Sequence, residues 1–324
     1  MLLGPGDCAW GARLHPQKDD YFKFTLGEPM GTVGGAGAVY QLMPRSTPPL
    51  VAKLYNDKVL QLIKSDRKYA QRIIALAFHG NELSKSLPFA TWPRRLIFSE
   101  KNPKDAQQAL LGFSMERLVG TTSLIDLITQ TNTRLKVTPD RTAFLCITLA
   151  DQIARMHRHP WTFVFGDLSP NNVHISADLT QVRFIDTDGF QFDYNNGQYS
   201  FRLSGLTSGF KAPGSDAALL KAGRLTTTHD DFVLAILLFM MLMADKGMPI
   251  HPFQSGDTPE DVRIDKRQFP LADTQQFPLP KPVIDAWNTL PQDLRDTFTR
   301  SFTGPTPVRA SEWVVVLSNY RRCL

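Results

Sequence analysis

The stretch Phe165-Gly166-Asp167-Leu168-Ser169-Pro170-Asn171-Asn172-Val173 most narrows what this chain can fold into. An acid and, five residues later, an amide flank a tight Ser-Pro turn, so both side chains can converge on one bound group. Asp167 can accept a proton from a hydroxyl, and Asn172 can offer an oxygen to a divalent cation. The plainer use of the same residues is a capped turn that satisfies only its own backbone amides. About twenty residues after Asp167, Val182-Arg-Phe184-Ile185-Asp186-Thr187-Asp188-Gly189-Phe190 forms an apolar strand that ends in acids. Asp186 directly follows the alternation and is the expected metal carboxylate; Asp188 is the competing register or a turn residue.

Two upstream pieces complete the set. Gly31-Thr-Val-Gly34-Gly35-Ala-Gly37-Ala-Val39-Tyr40 sits between two strands, where Gly34, Gly35 and Gly37 let backbone amides approach phosphate oxygens without a Cβ in the way. On the next strand, Val51-Ala52-Lys53 can bury the lysine stem and aim its ammonium at phosphates. Singly these read as a hairpin turn and a strand lysine. Their order carries the argument.

The coarse pattern is strand-rich, then helical. Residues 1–24 lack a strong period and read as a leader lying on the surface. Residues 25–55 read as strand, glycine turn, strand, proline-rich turn and strand. A helix is expected over 57–78, then strands at 96–98 and 110–117, giving a small, mostly antiparallel sheet with one helix. Beyond Gly120, helices at 123–130 and 141–157, short strands at 173–175 and 182–185, and helices from 230 onward make a larger lobe. The expected fold class is therefore α+β and bilobal: leader 1–24, N-lobe 25–117 and C-lobe 118–324, with a hinge at 117–120.

The ordered set resembles the protein-kinase superfamily over nearly the whole chain from about Thr25. The resemblance implies that Asp167 is the catalytic base, Asn172 and Asp186 hold Mg²⁺ (or Mn²⁺ in its place), and Lys53 binds ATP phosphates. It makes Phe113-Ser-Met115-Glu116-Arg117-Leu118 a hinge strand, with Met115 as gatekeeper and the backbone of Glu116 and Leu118 facing adenine. Val39, Ala52 and His174 would line the same nucleotide. Lys211-Ala212-Pro213 resembles the end of an activation segment, Asp230-Asp-Phe-Val-Leu-Ala235 the helix that anchors the catalytic loop, and Arg309-Ala-Ser-Glu-Trp313 the final helix. Several positions depart from the pattern. Thr32 stands for the first loop glycine, Phe165-Gly166 for His-Arg, Thr187 and Asp188 for the Phe and Gly after the metal aspartate, and Gly214 for the glutamate after Ala-Pro. The helix at 57–78 has no glutamate to hold Lys53; Asp66, or Glu82 just beyond, is the available acid.

More narrowly, Ala90-Thr-Trp92-Pro93, Val164-Phe-Gly-Asp167 and Ile185-Asp-Thr-Asp-Gly-Phe-Gln191 resemble a divergent bacterial branch of Ser/Thr kinase-like proteins. Its members are associated with tellurium-resistance-type proteins, a von Willebrand A-type domain protein and a metal-dependent protein phosphatase, which are the partners this resemblance implies. The expected activity is transfer of the γ-phosphate of ATP to a protein Ser or Thr hydroxyl. A nucleotide-binding pseudokinase switch and a small-molecule phosphotransferase are the other readings.

Composition bounds the rest. A net charge of +5, with 36 Lys and Arg against 31 Asp and Glu, suits a solvated surface better than a nucleic-acid groove. The three cysteines, Cys8, Cys146 and Cys323, form no metal-ligand or disulfide spacing and fit a reducing compartment. The N-terminus has no signal-peptide pattern, and the apolar stretch 232–243 is too short to span a bilayer, so a cytoplasmic protein with no membrane partner is expected.

Overall fold

Small residues build the first strand. In β1 (Cys8–Arg13), Ala9 and Ala12 are buried, and Gly11 leaves room for the Phe22 ring, which a Cβ at that position would overlap. β1 pairs antiparallel with β2 (Asp20–Met30) along its whole length. The segment expected as a surface leader therefore supplies a strand. The computed structural model describes residues 3–13, 20–31, 34–44, 49–129, 137–194, 199–201 and 206–324. It divides into two units, Met1–Val119 with Asp186–Asp188, and Gly120–Ile185 with Gly189–Leu324.

The first unit continues through β3 (Gly37–Met43), β4 (Leu50–Tyr55), α1 (Asp57–Ser65), α2 (Arg67–Ser86), β5 (Arg95–Phe98), α3 (Ala106–Ala109) and β6 (Leu110–Glu116). The strands close into a barrel in the order β1-β2-β3-β4-β6-β5, and every pairing is antiparallel. The antiparallel sheet closes because β1 pairs with both β2 and β5.

All six residues of β4 are buried because both of its faces are covered. Leu50, Ala52 and Leu54 pack with Ala9, Phe24, Leu26 and Ile97. Val51 and Tyr55 pack on the opposite face with Val59, Ile63, Ala70 and Ile73 from the helices. Strand alternation places Lys53 on that second face. The single helix expected over 57–78 is two helices. Asp66 leaves helical geometry at φ −115° and ψ 105°, and its side chain accepts the Lys68 amide as the cap of α2.

The second unit begins with β7 (Thr121–Ser123), α4 (Leu124–Thr129) and α5 (Pro139–Arg158). Thr138 caps α5 and Pro139 opens it, a residue with no amide hydrogen to leave unsatisfied. β8 (Val173–Ser176) and β9 (Val182–Phe184) complete a three-stranded sheet with β7, and β10 (Phe192–Tyr194) pairs with β11 (Tyr199–Phe201). Six helices follow: α6 (Ser215–Ala222), α7 (Thr227–Asp245), α8 (Glu260–Asp265), α9 (Lys281–Asn288), α10 (Gln292–Thr303) and α11 (Ala310–Arg322). By length and composition α7 could cross a membrane, yet every residue from His229 to Met243 is buried inside this unit. Its apolar surface on all sides is that of a helix enclosed by others. Phe239 meets Phe269, Trp287, Phe298 and Phe302 there, mostly edge-on or tilted.

Candidate functional site

In the first unit, Lys53 sits at the centre of a charged cluster. Its ammonium bonds Asp186 Oδ1, and Asp188 Oδ1 at 2.8 Å. It also lies 5.9 Å from the ring centre of Phe113, its cross-strand partner on β6. Burial alone would lower the lysine pKa. The carboxylates of Asp188 and, after it, Asp186 outweigh burial and hold the ammonium above its ordinary range. The two acids differ in exposure: the side chain of Asp186 is 42% exposed and that of Asp188 only 6%. Asp188 Oδ2 accepts the Tyr55 hydroxyl at 2.9 Å. Burial would raise the Asp188 pKa, but Lys53 and Arg72 reverse its effect and keep the group below the usual carboxylate value.

The turn that carries these acids is tightly held. Asp186 adopts φ 64°, a left-handed backbone that a non-glycine residue occupies at a cost of about 1–3 kcal/mol, and such strain clusters at functional turns. Thr187, buried where a phenylalanine was the reference, donates its hydroxyl to the Thr91 carbonyl at 2.9 Å. Strand β9 delivers this turn by ending at Phe184, as the alternation of Val182 and Phe184 implies.

The glycine segment is anchored from its far end. The Gly34 amide donates to the Gly37 carbonyl at 2.9 Å, and the Asn56 side-chain amide donates to the Gly35 carbonyl at 2.8 Å. The Asn56 Oδ1 caps α1 by accepting the Val59 amide, so one residue links the glycine turn to that helix. Gly37 and Val39 open β3 opposite Tyr55 and Lys53, and Ala52 pairs with Tyr40. Thr32 lies outside the described residues. On β6, Met115 is buried in the helix-side core and pairs with Val51. The Glu116 carboxylate accepts from Arg94 at 3.2 Å, and half-buried Leu118 follows the strand end.

In the second unit, the loop that holds Asp167 is fixed from beneath by α7. Asp230, fully buried, accepts the amides of Phe165 at 2.8 Å and Gly166 at 3.1 Å, and His157 Nε2 donates to it at 3.1 Å. His229 Nε2 donates to the Gly166 carbonyl at 2.9 Å, while its Nδ1 lies 2.8 Å from the Ser215 hydroxyl and accepts from it. That pattern needs a neutral ring, and burial lowers the His229 pKa accordingly. Asn172 Nδ2 donates to the Asp167 carbonyl at 2.9 Å, which leaves Oδ1 as the atom it can offer to a cation. The Thr207 hydroxyl donates to Asp167 Oδ1. His174, on β8, lies with Nδ1 3.2 Å from the Thr121 hydroxyl, and burial lowers its pKa, as for a ring packed neutral.

The structure thus joins Lys53 with Asp186 and Asp188 in one unit, and Asp167 with Asn172 in the other. It does not give Lys53 the acids considered for it: Asp66 is occupied as a helix cap, and Glu82 is 78% exposed and pairs with His79. Sequence reasoning missed Tyr55, Arg72, Thr207, His157 and His229. Only Tyr55 had a local signal, standing two residues from Lys53 on one strand face. Among the described residues no group of three or more His, Cys, Asp or Glu is placed to hold a metal. Hard oxygens suit Mg²⁺; the first unit offers the half-exposed Asp186 carboxylate, and the second, taken by itself, offers the Asn172 amide oxygen.

The chain is similar to a solved structure, the ROP18 kinase domain in complex with AMP-PNP and sucrose. The match covers 98% of this chain and 86% of that one, with a TM-score of 0.57 and 14% sequence identity. The fold is protein-kinase-like. No protein-family model matches the chain, and no curated protein sequence does. Within this kinase-like fold, the barrel with α2 corresponds to the sheet-and-helix lobe and the α7-centred unit to the helical lobe.

Proposed function

We propose that this kinase-like protein is an ATP-dependent protein Ser/Thr kinase. The observation that carries the reading is the Thr207 hydroxyl resting on Asp167 Oδ1, an alcohol already presented to the carboxylate that would act as base. In this reading Lys53 binds the phosphate tail, and Asp167 orients the acceptor hydroxyl and takes its proton as the phosphoryl group arrives. Asp186 and Asn172 would hold Mg²⁺, which when bound offsets phosphate charge. The AMP-PNP held by the similarly folded ROP18 kinase domain supports a nucleotide as the ligand. The phosphatase and von Willebrand A-type partners belong to the same proposal through resemblance alone.

The test is transfer from γ-labelled ATP with Mg²⁺ or Mn²⁺, comparing wild type with Lys53→Met and Asp186→Ala. Label on the chain itself or on a basic protein, lost in both variants, is the expected result. Nucleotide binding with no transfer under any condition would replace the enzyme with a nucleotide-gated scaffold.

A further inference from the structure

Lys53 is gripped by two carboxylates from one turn, and the grips are unequal. Asp186 is half-exposed, so its carboxylate has room to turn toward a ligand. Asp188 has no such freedom. One of its oxygens holds Lys53 and the other the Tyr55 hydroxyl, and the side chain is buried. Tyr55 shares the strand face of Lys53, so β4 presents both donors to the two oxygens of one carboxylate. Thr187 pins the intervening residue to Thr91.

The helix behind this cluster carries the opposite charge from what Lys53 requires. Along α2 the one acid is Glu82, near its exposed end, whereas Arg72 is buried in its core-facing side with its guanidinium over the Tyr69 ring at 4.3 Å. Arg72 lies near enough to act electrostatically on both Asp188 and Tyr55. Two cations and two carboxylates therefore balance in the resting protein. If Asp186 turns away to bind a cation, Lys53, Asp188 and Arg72 remain as a net positive group suited to phosphate.

The geometry points to Asp188 as the dedicated positioning residue for Lys53, with Arg72 supporting it from α2 and Asp186 released for the metal. This rests on the kinase reading for its consequence, though the network itself belongs to the nucleotide-free chain. The division of labour predicts a difference that a purely structural role would not produce. Asp188 should matter for phosphate binding whether or not metal is present, and Asp186 only when it is.

The experiment measures AMP-PNP affinity by calorimetry on the full chain, in Mg²⁺ and in EDTA. Asp188→Asn should weaken binding by about tenfold to a hundredfold in both conditions, the range of one charge-assisted hydrogen bond. Asp188→Glu should recover much of that loss. Asp186→Asn should weaken binding in Mg²⁺ alone. The exchange Arg72→Glu with Asp188→Asn, which moves the carboxylate to the helix, should bind more tightly than Asp188→Asn. Unchanged affinity in a folded Asp188→Asn protein, or a loss confined to Mg²⁺, would overturn the assignment.

If Asp188→Asn does not fold, Tyr55→Phe reads the same network, since it frees one oxygen of Asp188 and should weaken metal-free binding by roughly threefold. No change there overturns the assignment. If the wild-type chain binds no nucleotide, the kinase reading fails separately. Melting of the nucleotide-free variants then decides: Lys53→Met with Asp188→Asn should melt above Asp188→Asn alone, because the buried ammonium is gone. Simple additivity of the two losses would refute the pairing.

Discussion

Replacing Asp230 by alanine tests the support beneath the catalytic-type loop. Its carboxylate is fully buried and is the acceptor for the Phe165 and Gly166 amides and for His157. Alanine removes all three acceptor contacts and leaves two backbone donors facing a small void. An orphaned buried donor costs about 1–3 kcal/mol, so the two amides alone amount to roughly 2–6 kcal/mol, with His157 adding to that. For a unit of this size we expect the melting temperature to fall by about 10 °C. Asp230→Asn keeps one carbonyl oxygen for the two amides and should lose about half as much. Hydrogen exchange resolved to single amides locates the damage: Phe165 and Gly166 should change from slow to fast, while amides of α11 change only with the global melt. If the proposed kinase function holds, phosphate transfer should fall too, because Asp167 is the next residue after the freed amides. An alanine variant within about 1 kcal/mol of wild type, with both amides still protected, would refute the reasoning.

Three further outcomes follow from the geometry. On the proposed kinase function, Asp167→Asn should lower kcat by about 10²–10⁴ while AMP-PNP affinity stays unchanged, since the loss would fall on the proposed proton acceptor alone. Gly112→Ala places a Cβ against the Lys53 carbonyl across the β4–β6 ladder, so unfolding should become easier by about 1–3 kcal/mol and nucleotide binding weaker; wild-type affinity and stability would show that the strands can part without cost. Burial lowers the His251 pKa to about 4, and the ring donates to the Gly209 carbonyl. The folded chain therefore takes up fewer protons there than the unfolded one, so this stability is complete above pH 6.5 and is lost as pH falls toward 4, up to about 3 kcal/mol. Asp231, raised to about 6 mainly by burial, works in the opposite direction over part of that range. The wild-type melting curve must therefore be read against His251→Gln, whose acid slope should be shallower.

What could be read from sequence was set by how local its cause is. The Asp167 loop and α7 are contiguous patterns, one a turn with two candidate site side chains and the other an uninterrupted apolar run. β1 escaped notice because Ala9, Gly11 and Ala12 bury little area each and give a weak alternation. The break between α1 and α2 is hidden in the sequence by apolar spacing that continues through Asp66, the residue that caps α2. The partners of Lys53 were out of reach for a different reason. Asp188 lies 135 positions away and reads locally as a turn acid, and the Thr207–Asp167 contact spans 40 positions without any pattern.

The first strand also decides where this chain can be cut. A shortened protein begun at Thr25 would lose β1 entirely and part of β2, and the barrel would open into a sheet with two raw borders. β5 would lose its bonds to residues 10–12, and what remains of β2 would face water with unpaired amides and carbonyls. Such borders recruit strands from other molecules. Low solubility or self-association after such trimming would report a missing stave, with no fault in the Lys53 cluster or the Asp167 loop themselves.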